Sequence, residues 1–303
     1  MDIFVDGSNG ITGMLMIEQL TALQSSYNFT ITTLDSSLQK DEISRYRAIE
    51  KADIAILCLP EDIAFKTMQE LSHVETTIID ISIAHRLDKQ WIYGFHELSK
   101  EHTIKIQNST RIANPGCFAT GMISLLNPIK NYLNPAYPLI INGVTGYSAG
   151  GKKAIERQKS NPVSFRATNL NKVHPHISEV RHVTQLKNKL MFNPTVGNFE
   201  RGQMVQITIF NDYLIGLDLH KIEQLFINYY EQSHVITVKK EKPSFLSAES
   251  MSGSNNLDVY VLHPEGSDFV QLIAVYDNLG KGSIGAASGT LEILLKDHKI
   301  SVF

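Results

Sequence analysis

The segment Gly7-Ser8-Asn9-Gly10-Ile11-Thr12-Gly13 follows a short apolar stretch, Ile3–Val5, and precedes a helical pattern of apolar residues. Its glycine spacing, G-x-x-G-x-x-G, is a variant of the dinucleotide-binding fingerprint, in which glycines allow a tight turn and a close approach of the backbone to a pyrophosphate. The N-terminus of the following helix would meet that anion. An ordinary glycine turn is the alternative, but the strand–turn–helix context favours a cofactor site at residues 7–13.

Apolar stretches and amphipathic segments alternate through the first third of the chain. The predicted strands are Ile3–Val5, Phe29–Leu34, Ile54–Leu59 and Thr77–Ile81. Helices are predicted between them, one with Met16, Leu20 and Leu23 on one face and one that follows Pro60 and runs to about Leu71. The alternation predicts an α/β domain built on a parallel, doubly wound sheet, which is the Rossmann arrangement.

The second half of the chain has a different pattern. Val205, Ile207 and Ile209 alternate with polar residues, which is typical of a strand with one buried face. Further elements are predicted as strands at Leu139–Val144, Val235–Val238, Val259–Leu262 and Phe269–Tyr276, with helices at His220–Tyr230 and about Ile284–Leu295. This mixture predicts an antiparallel-rich α+β domain that begins near Cys117.

Length and composition fit two folded domains and exclude several classes of partner. The chain has 303 residues, of which 43% are hydrophobic, and its net charge of −3 gives no indication of nucleic-acid or anionic-membrane binding. No apolar run approaches the ~20 residues of a membrane span, and because the sequence opens on a predicted strand, no signal peptide is expected. With two cysteines and no export signal, a cytoplasmic protein is expected.

Cys117 is the strongest catalytic candidate. It follows the turn Asn114-Pro115-Gly116 and precedes an apolar run, Phe118–Leu126. The positive end of a helix dipole favours the thiolate, which is the nucleophilic form of cysteine. A small buried hydrophobe in a turn is the alternative. Cys58 lies in an apolar strand pattern, so a structural role is expected for it.

The segment His174-Pro175-His176-Ile177-Ser178-Glu179 is the second catalytic candidate. Glu179 would share a helical face with His176, where a carboxylate could orient an imidazole or raise its pKa. Exposed histidines at a capped helix start are the alternative. A zinc site would need further ligands, and no obvious Cys/His cluster supplies them, so no metal is expected. A dinucleotide, a thiol and a histidine together fit reduction of an acyl group through an enzyme thioester.

The residues themselves leave the choice between NAD and NADP open. Asp35, near the end of the second predicted strand, would favour NAD by binding a free ribose hydroxyl. The polar and basic residues that follow could instead hold a 2′-phosphate; they are Ser36, Ser37, Lys40, Arg45 and Arg47. Asp35 as a turn cap and the basic residues as plain surface are further alternatives.

Over nearly its whole length the chain resembles the N-acetyl-γ-glutamyl-phosphate reductase family in its shorter form. The most specific segments are 111–121, which contains the Asn-Pro-Gly-Cys turn, and the His-x-His-x-x-Glu cluster at 174–179. The other matching segments are the glycine turn, 58–60, 80–82 with 85–86, 91–95, 143–146 with 148–150, 201–202 and 277–282. The related aspartate-semialdehyde dehydrogenases usually lack such a histidine pair. His96 stands where the family commonly has proline, and no role is assigned to it.

The resemblance implies a Rossmann domain followed by a glyceraldehyde-phosphate-dehydrogenase-like C-terminal domain. The expected division is residues 1–116 with 280–303, and residues 117–279. The final helix would pack on the Rossmann domain, the cofactor would be NADP, and the protein would be a homodimer or homotetramer. The partners would be a small acyl-phosphate substrate and phosphate, with no nucleic acid and no membrane.

The resemblance also implies a thioester mechanism that yields N-acetylglutamate 5-semialdehyde. Cys117 attacks the γ-acyl phosphate, phosphate leaves, and NADPH reduces the thioester. His176 is the first choice for the acid–base, His174 the second, and Glu179 would orient a histidine or meet the substrate. The substrate-binding candidates are Ser82, Arg86, Asn114 and Arg201, and the candidates near the nicotinamide are Asn278 and Lys281. Two alternatives stay open: an acyl-phosphate reductase of the aspartyl or aminoadipyl type, and a non-catalytic NADP-binding sensor.

Overall fold

The computed structural model describes residues 1–299, which divide into two units. Unit 1 comprises residues 1–115 and the described residues from 283 onward, and unit 2 comprises residues 116–282. The chain therefore leaves unit 1 once and returns to it for its last helix. The predicted first domain extends to residue 303, and its residues 300–303 lie outside the described part.

Residues 1–299 form thirteen β-strands and nine α-helices. The strands are β1 (Asp2–Asp6), β2 (Thr30–Thr32), β3 (Ile54–Leu57), β4 (Thr77–Asp80), β5 (Ile92–Tyr93), β6 (Arg111–Ala113), β7 (Leu139–Thr145), β8 (Phe165–Ala167), β9 (Leu190–Gly197), β10 (Gln203–Phe210), β11 (Ile236–Lys239), β12 (Leu257–Leu262) and β13 (Phe269–Tyr276). The helices are α1 (Ile11–Leu23), α2 (Glu42–Lys51), α3 (Glu61–Glu70), α4 (Lys100–Gln107), α5 (Cys117–Leu126), α6 (Gly151–Ser160), α7 (Pro175–Thr184), α8 (Ile222–Tyr230) and α9 (Gly285–Lys299).

A six-stranded parallel sheet in the order β2-β1-β3-β4-β6-β5 is the centre of unit 1. All four residues of β3 are buried, as expected of a strand that is covered on both faces. One hydrophobic cluster joins this sheet to α1 through Met16 and Leu20, and to α9 through Leu291 and Leu294. The final helix therefore packs on the parallel sheet.

The carboxyl edge of that sheet carries the polar segments of unit 1. The glycine turn follows β1, the segment beginning at Ile81 follows β4, and Asn114 follows β6. In open parallel sheets, ligands bind at this edge. The topology therefore brings the candidate residues of unit 1 to the edge where a ligand is expected.

Unit 2 is built on a seven-stranded mixed sheet in the order β11-β12-β13-β10-β7-β9-β8. Its pairings are antiparallel except for β7 with β9 and β11 with β12. Burial alternates along β10, because one face of the strand packs in the core. Helix α5 packs against β10 and β13, and α7 packs against α5.

The predicted fold class, an α/β Rossmann domain followed by an α+β domain, is confirmed. The second predicted strand is shorter than expected, since β2 spans only Thr30–Thr32. Several short or polar elements are absent from the sequence-based prediction: α2, β5, β6, α4, α6, β8 and β9. The four strands among them complete the two sheets, and none of these elements changes the fold class.

Residues 1–299 contain neither a membrane-spanning helix nor a cluster of metal-ligating side chains. None of the described helices combines the length and the apolar character needed to cross a bilayer. The His, Cys, Asp and Glu side chains of these residues also do not gather in a group of three or more that could hold a metal ion.

Candidate active site

The glycine turn of unit 1 has the backbone geometry of a phosphate cradle. Gly7 has a φ of +82°, and a Cβ at this position would lie 2.4 Å from the carbonyl oxygen of Cys58. A Cβ at Gly13 would lie 2.2 Å from the carbonyl oxygen of Gly7. α1 begins directly after Gly10, which provides no side-chain cap. At Gly7, Gly10 and Gly13 the backbone near the N-terminal N–H groups of α1 therefore carries no side chain, which fits a dinucleotide pyrophosphate.

Gly13→Ala is expected to weaken NADPH binding by about 5- to 150-fold, because keeping the turn in its cofactor-binding geometry against this crowding costs ~1–3 kcal/mol. The matched control is Gly10→Ala, whose Cβ would lie 3.3 Å from the carbonyl oxygen of Gly7 and needs only a small adjustment. Fluorescence titration with NADPH, with Tm measured alongside, checks both variants. Equal affinities in wild type, Gly10→Ala and a folded Gly13→Ala would contradict a role of this turn in cofactor binding.

A buried ion pair supports the residue that precedes the glycine turn. Arg45 Nε donates to both carboxylate oxygens of Asp6, at 3.0 and 2.9 Å, and Arg45 Nη2 donates to Thr67 Oγ1 at 2.8 Å. Because both charged groups are buried in this pair, Arg45 is not available to a 2′-phosphate. The sequence-based interpretation of Arg45 as a possible ligand of that phosphate is therefore wrong. The exposed candidates for the ribose end of the cofactor are Asp35, Ser36, Ser37, Lys40 and Arg47.

Asp80, at the end of β4, organises the segment that carries Ser82. Its buried carboxylate accepts hydrogen bonds from the N–H and the hydroxyl of Ser82, each at 2.9 Å, and lies 2.6 Å from His85 Nδ1. His85 stacks on Trp91 with ring centroids 4.0 Å apart. The Ser82 hydroxyl hydrogen is thus directed at Asp80, and donation from Ser82 to a substrate phosphate would require this bond to break.

Arg86 supports the backbone that leads towards the cysteine. Its Nε donates to the carbonyl oxygen of Asn114 at 2.8 Å, and its Nη2 donates to that of Ile81 at 3.1 Å. The Asn114 side chain is buried, and its Nδ2 donates to the carbonyl oxygen of Ser283 at 3.0 Å. Both residues therefore have observed roles in shaping the backbone of unit 1, and their contact with substrate stays a prediction.

Cys117 is the first residue of α5, and the nine residues that follow it in the helix are buried. Gly116 is the N-cap of α5 and has no side chain that could accept a hydrogen bond from the first N–H groups of the helix. The positive end of the helix dipole at Cys117 is therefore not offset by a capping side chain of Gly116. The thiol residue is half-buried, and neither cysteine forms a disulfide. The predicted helix start at the cysteine is therefore present.

Glu179 connects the cysteine turn to the histidine helix within unit 2. Its buried carboxylate accepts the N–H of Gly116 through Oε1 at 2.6 Å. Its other oxygen, Oε2, lies 4.0 Å from His176 Nε2. A carboxylate at that distance stabilises a protonated imidazole. One side chain thus fixes the residue before the thiol and faces the candidate acid–base.

The two histidines have different surroundings. His174 is the N-cap of α7, and its Nδ1 accepts the N–H of His176 at 3.2 Å, so the neutral ring carries its hydrogen on Nε2. Burial lowers the pKa of His174, an effect that Glu179 opposes in part. His174 is therefore suited to a neutral capping role, whereas His176 faces the carboxylate.

The ring of Phe118 packs against the rings of His174, His176 and Phe192, a contact that the sequence pattern did not predict. Its ring centroid lies 6.0 Å from that of His174, 6.3 Å from that of His176 and 4.9 Å from that of Phe192. A Cβ at Gly143 would lie 2.6 Å from Phe118 Cε1, so glycine at that position makes room for the ring. Its position directly after Cys117 is the one signal that could have identified it.

Arg201 presents a partly satisfied guanidinium. Its Nη2 lies 2.7 Å from Oδ2 of the fully buried Asp277, while its buried Nε has no hydrogen-bond partner. Buried donors in proteins are almost always paired, and guanidinium groups bind carboxylates and phosphates through two parallel hydrogen bonds. The guanidinium of Arg201 therefore has donor capacity beyond its pair with Asp277, which suits an anionic ligand.

Asn278 and Lys281 are buried in unit 2. Asn278 Oδ1 accepts the N–H of Gly202 at 2.9 Å, and its Nδ2 donates to Ser148 Oγ at 3.0 Å. The amide of Asn278 therefore links three segments of unit 2. Its proximity to the nicotinamide, and that of Lys281, stays a prediction.

Cys58 is poorly suited to nucleophilic chemistry. It is half-buried beside the core of unit 1. Burial, and then the nearby Asp6 and Asp80, raise the pKa of its thiol far above the usual range. These surroundings support the structural role expected for Cys58.

Comparisons with known proteins define the class. The family model "Semialdehyde dehydrogenase, NAD binding domain" matches residues 16–106, and "Semialdehyde dehydrogenase, dimerisation domain" matches residues 117–278. Aspartate semialdehyde dehydrogenase II from Vibrio cholerae has a TM-score of 0.72 at 16% identity, over 98% of each chain. Aspartate semialdehyde dehydrogenase from Francisella tularensis has a TM-score of 0.76 at 13% identity, over 97% of this chain and 99% of that chain. At these identities the structures show a shared fold, and the class is that of the semialdehyde dehydrogenases.

Curated relatives narrow the class to one family. N-acetyl-gamma-glutamyl-phosphate reductase from Brucella anthropi is 34% identical, over 97% of this chain and 98% of the relative. The protein of the same name from Sinorhizobium medicae is 31% identical over the same shares. The chain belongs to the N-acetyl-γ-glutamyl-phosphate reductase family, and it is an oxidoreductase.

Proposed function

We propose that this protein reduces N-acetyl-γ-glutamyl phosphate to N-acetylglutamate 5-semialdehyde with NADPH and releases phosphate, as a step of arginine biosynthesis. The observation that carries the proposal is the group formed by Cys117, Glu179 and His176. The thiol of Cys117, at the start of α5, supplies a nucleophile. The carboxylate of Glu179 accepts the N–H of the preceding residue, Gly116, and faces His176, which supplies a proton carrier. Family membership supports the substrate and the cofactor.

The first chemical step is acyl transfer to Cys117. The thiolate sulfur attacks the γ-carbonyl carbon, a C–S bond forms, and the carbon–oxygen bond to phosphate breaks, so that inorganic phosphate leaves. The N-terminal N–H groups of α5 stabilise negative charge in this region. Glu179, by binding the N–H of Gly116, fixes the backbone from which the cysteine extends.

The second step converts the thioester into the aldehyde. The glycine turn at residues 7–13 would hold NADPH, which would supply the hydride for reduction of the thioester carbonyl. His176 donates a proton to the resulting oxygen and takes it back as the thiohemiacetal collapses, which breaks the C–S bond and regenerates the thiolate. Glu179 stabilises the protonated form of His176 between these transfers.

Arg201 is proposed to bind an anionic group of the substrate. Arg201→Lys keeps the positive charge beside Asp277 but loses the planar fork, so KM for the substrate is expected to rise about tenfold with little change in kcat. Initial-rate kinetics and a Tm measurement check this variant together. A lowered Tm with an unchanged KM would mean that Arg201 only stabilises the fold through Asp277.

A substrate panel tests the proposed activity. In the reverse direction, phosphate- or arsenate-dependent reduction of NADP is measured with N-acetylglutamate semialdehyde and with aspartate semialdehyde. Turnover restricted to the acetylated compound is expected. Activity on aspartate semialdehyde alone would replace the proposed substrate, and no turnover of any semialdehyde would favour a non-catalytic NADP-binding protein.

We also propose that the protein is a cytoplasmic homodimer or homotetramer. The matched dimerisation-domain model supports self-association. One face of the unit 2 sheet exposes Ile140, Met191 and Phe210, and Ile140 and Met191 are paired in register on neighbouring strands. A second copy would cover this apolar patch. Analytical ultracentrifugation of the wild-type protein measures the assembly directly.

A further inference from the structure

The phenol of Tyr276 is buried against the first turn of α5. Its hydroxyl donates to the carbonyl oxygen of Cys117 at 2.7 Å. The phenol oxygen of Tyr276 in turn accepts the N–H of Gly121 at 3.2 Å and Nε2 of Gln203 at 2.6 Å. Because both of these groups donate to the phenol oxygen, the hydroxyl hydrogen is directed at Cys117.

A hydrogen bond from Thr145 sets the orientation of the Gln203 amide that donates to Tyr276. Thr145 Oγ1 donates to Gln203 Oε1 at 3.0 Å, which turns the amide NH₂ of Gln203 towards Tyr276. Thr145, Gln203 and Tyr276 are all buried. A fully satisfied polar chain in a low-dielectric interior holds a unique geometry, and this one ends on the backbone of the candidate nucleophile.

Two glycines leave the space that this contact requires. A Cβ at Gly121 would lie 2.6 Å from Tyr276 Oη, so the phenol could not reach the helix backbone past a side chain. A Cβ at Gly282 would lie 3.2 Å from Cys117 Cβ and 3.3 Å from Tyr276 Cε2. The absence of side chains at Gly121 and Gly282 thus allows the ring of Tyr276 to contact the backbone at Cys117.

The phenol remains a hydrogen-bond donor over the whole working range of pH. Burial, and then the neighbouring Cys117, raise the pKa of Tyr276 well above its usual value. Tyr276 therefore keeps its proton when Cys117 is a thiolate. This property separates it from a residue that exchanges protons during turnover.

We propose that Tyr276 is a positioning residue for Cys117. Its hydroxyl fixes the backbone carbonyl of Cys117, and this holds the thiol side chain in one orientation at the first turn of α5. The inference deepens the proposed function, because it concerns the residue assigned there as nucleophile. Without the hydroxyl, the peptide unit of Cys117 loses one of its anchors, and the sulfur is less well aligned with the helix N–H groups. Thiolate stabilisation and kcat then fall, while substrate affinity is unchanged.

Tyr276→Phe tests the proposal against a matched control on the same helix. The control is Tyr230→Phe, because the buried Tyr230 hydroxyl donates to the carbonyl oxygen of Ser124 at 2.8 Å, in the second half of α5. Alkylation of Cys117 by iodoacetamide is followed from pH 5 to 10 by mass spectrometry of the peptide that contains it. Tyr276→Phe is expected to raise the pH midpoint by about one unit, to slow alkylation at pH 7 about tenfold, and to lower kcat with KM unchanged.

The outcomes separate positioning from general stability. Tyr230→Phe is expected to lower Tm comparably but to leave the alkylation midpoint unchanged. An unchanged midpoint in Tyr276→Phe, or an equal shift in both variants, would overturn the proposal. If Tyr276→Phe alone does not fold, Tyr276→Phe/Gln203→Met removes the amide that would otherwise lose its acceptor, and the same criteria apply. Alkylation reports on Cys117 without substrate, so the result stands even if the proposed reaction fails in its own assay.

Discussion

Cys117→Ser is expected to lower kcat for NADP-dependent turnover of N-acetylglutamate semialdehyde by about 10³-fold or more, since removing a covalent nucleophile costs at least this much in comparable enzymes. A serine hydroxyl is not ionised at neutral pH, so the acyl-transfer step loses its nucleophile. The substitution is nearly isosteric at the first position of α5. Fold and NADPH affinity are therefore expected to stay close to those of wild type.

Cys58→Ser is the matched control for this loss. Cys58 belongs to unit 1 and has a thiol pKa raised far above the usual range, so its removal is expected to leave kcat within about twofold of wild type. Initial rates, NADPH titration and Tm are measured on both variants. Equal rates in wild type and Cys117→Ser would exclude the thioester mechanism.

His176→Asn is expected to lower kcat by about 10²–10⁴-fold, which is the usual contribution of a general acid–base. His176 faces Oε2 of Glu179 at 4.0 Å, and the substitution removes the group whose protonated form that carboxylate stabilises. The remaining activity would lose its dependence on the ionisation of this imidazole. The pH profile of kcat is therefore measured together with its value.

His174→Asn distinguishes the two histidines. Asparagine is a good N-cap, so its side-chain oxygen can replace the Nδ1 that accepts the N–H of His176. We expect α7 to stay folded and kcat to fall by less than about tenfold, in contrast to the larger loss in His176→Asn. A larger loss of kcat in His174→Asn than in His176→Asn would reverse the assignment of the acid–base.

Elements with a strong apolar pattern could be predicted from the sequence, and polar elements could not. β3 and α5 are nearly continuous apolar runs, and β10 alternates strictly, so each was predicted. α2 buries only Arg45 and Ile49, which leaves too few apolar residues for a helical period. Its one local signal is Asp41, whose side chain accepts the N–H of Ser44 as an N-cap.

The site was predictable where its chemistry lies in short motifs. The glycine turn, the cysteine at a helix start and the Glu179 position beside His176 all follow from local spacing. The bond from Glu179 to the N–H of Gly116 joins residues that are 63 positions apart, and the bond from Tyr276 to the Cys117 carbonyl joins residues 159 apart. Tyr276 ends an apolar strand, and nothing in that pattern distinguishes it from a core residue.

Arg45 illustrates how tertiary context overrides a sequence pattern. Its place among basic residues after the second strand left two interpretations open, binding of a 2′-phosphate and plain surface. The fold instead directs it inward, to Asp6 at the end of β1. A sequence shows that a charge is present, but not which buried carboxylate stands opposite to it.

Trapping the acyl-enzyme shows whether Cys117 itself carries the acyl group during turnover. The protein is mixed with N-acetyl-γ-glutamyl phosphate in the absence of NADPH, quenched in acid, and examined by intact and peptide mass spectrometry. We expect one N-acetylglutamyl group on the Cys117 peptide, release of one equivalent of phosphate, and loss of the adduct when NADPH is added. An adduct on another residue, or full activity in Cys117→Ser with no adduct, would exclude acyl transfer to Cys117.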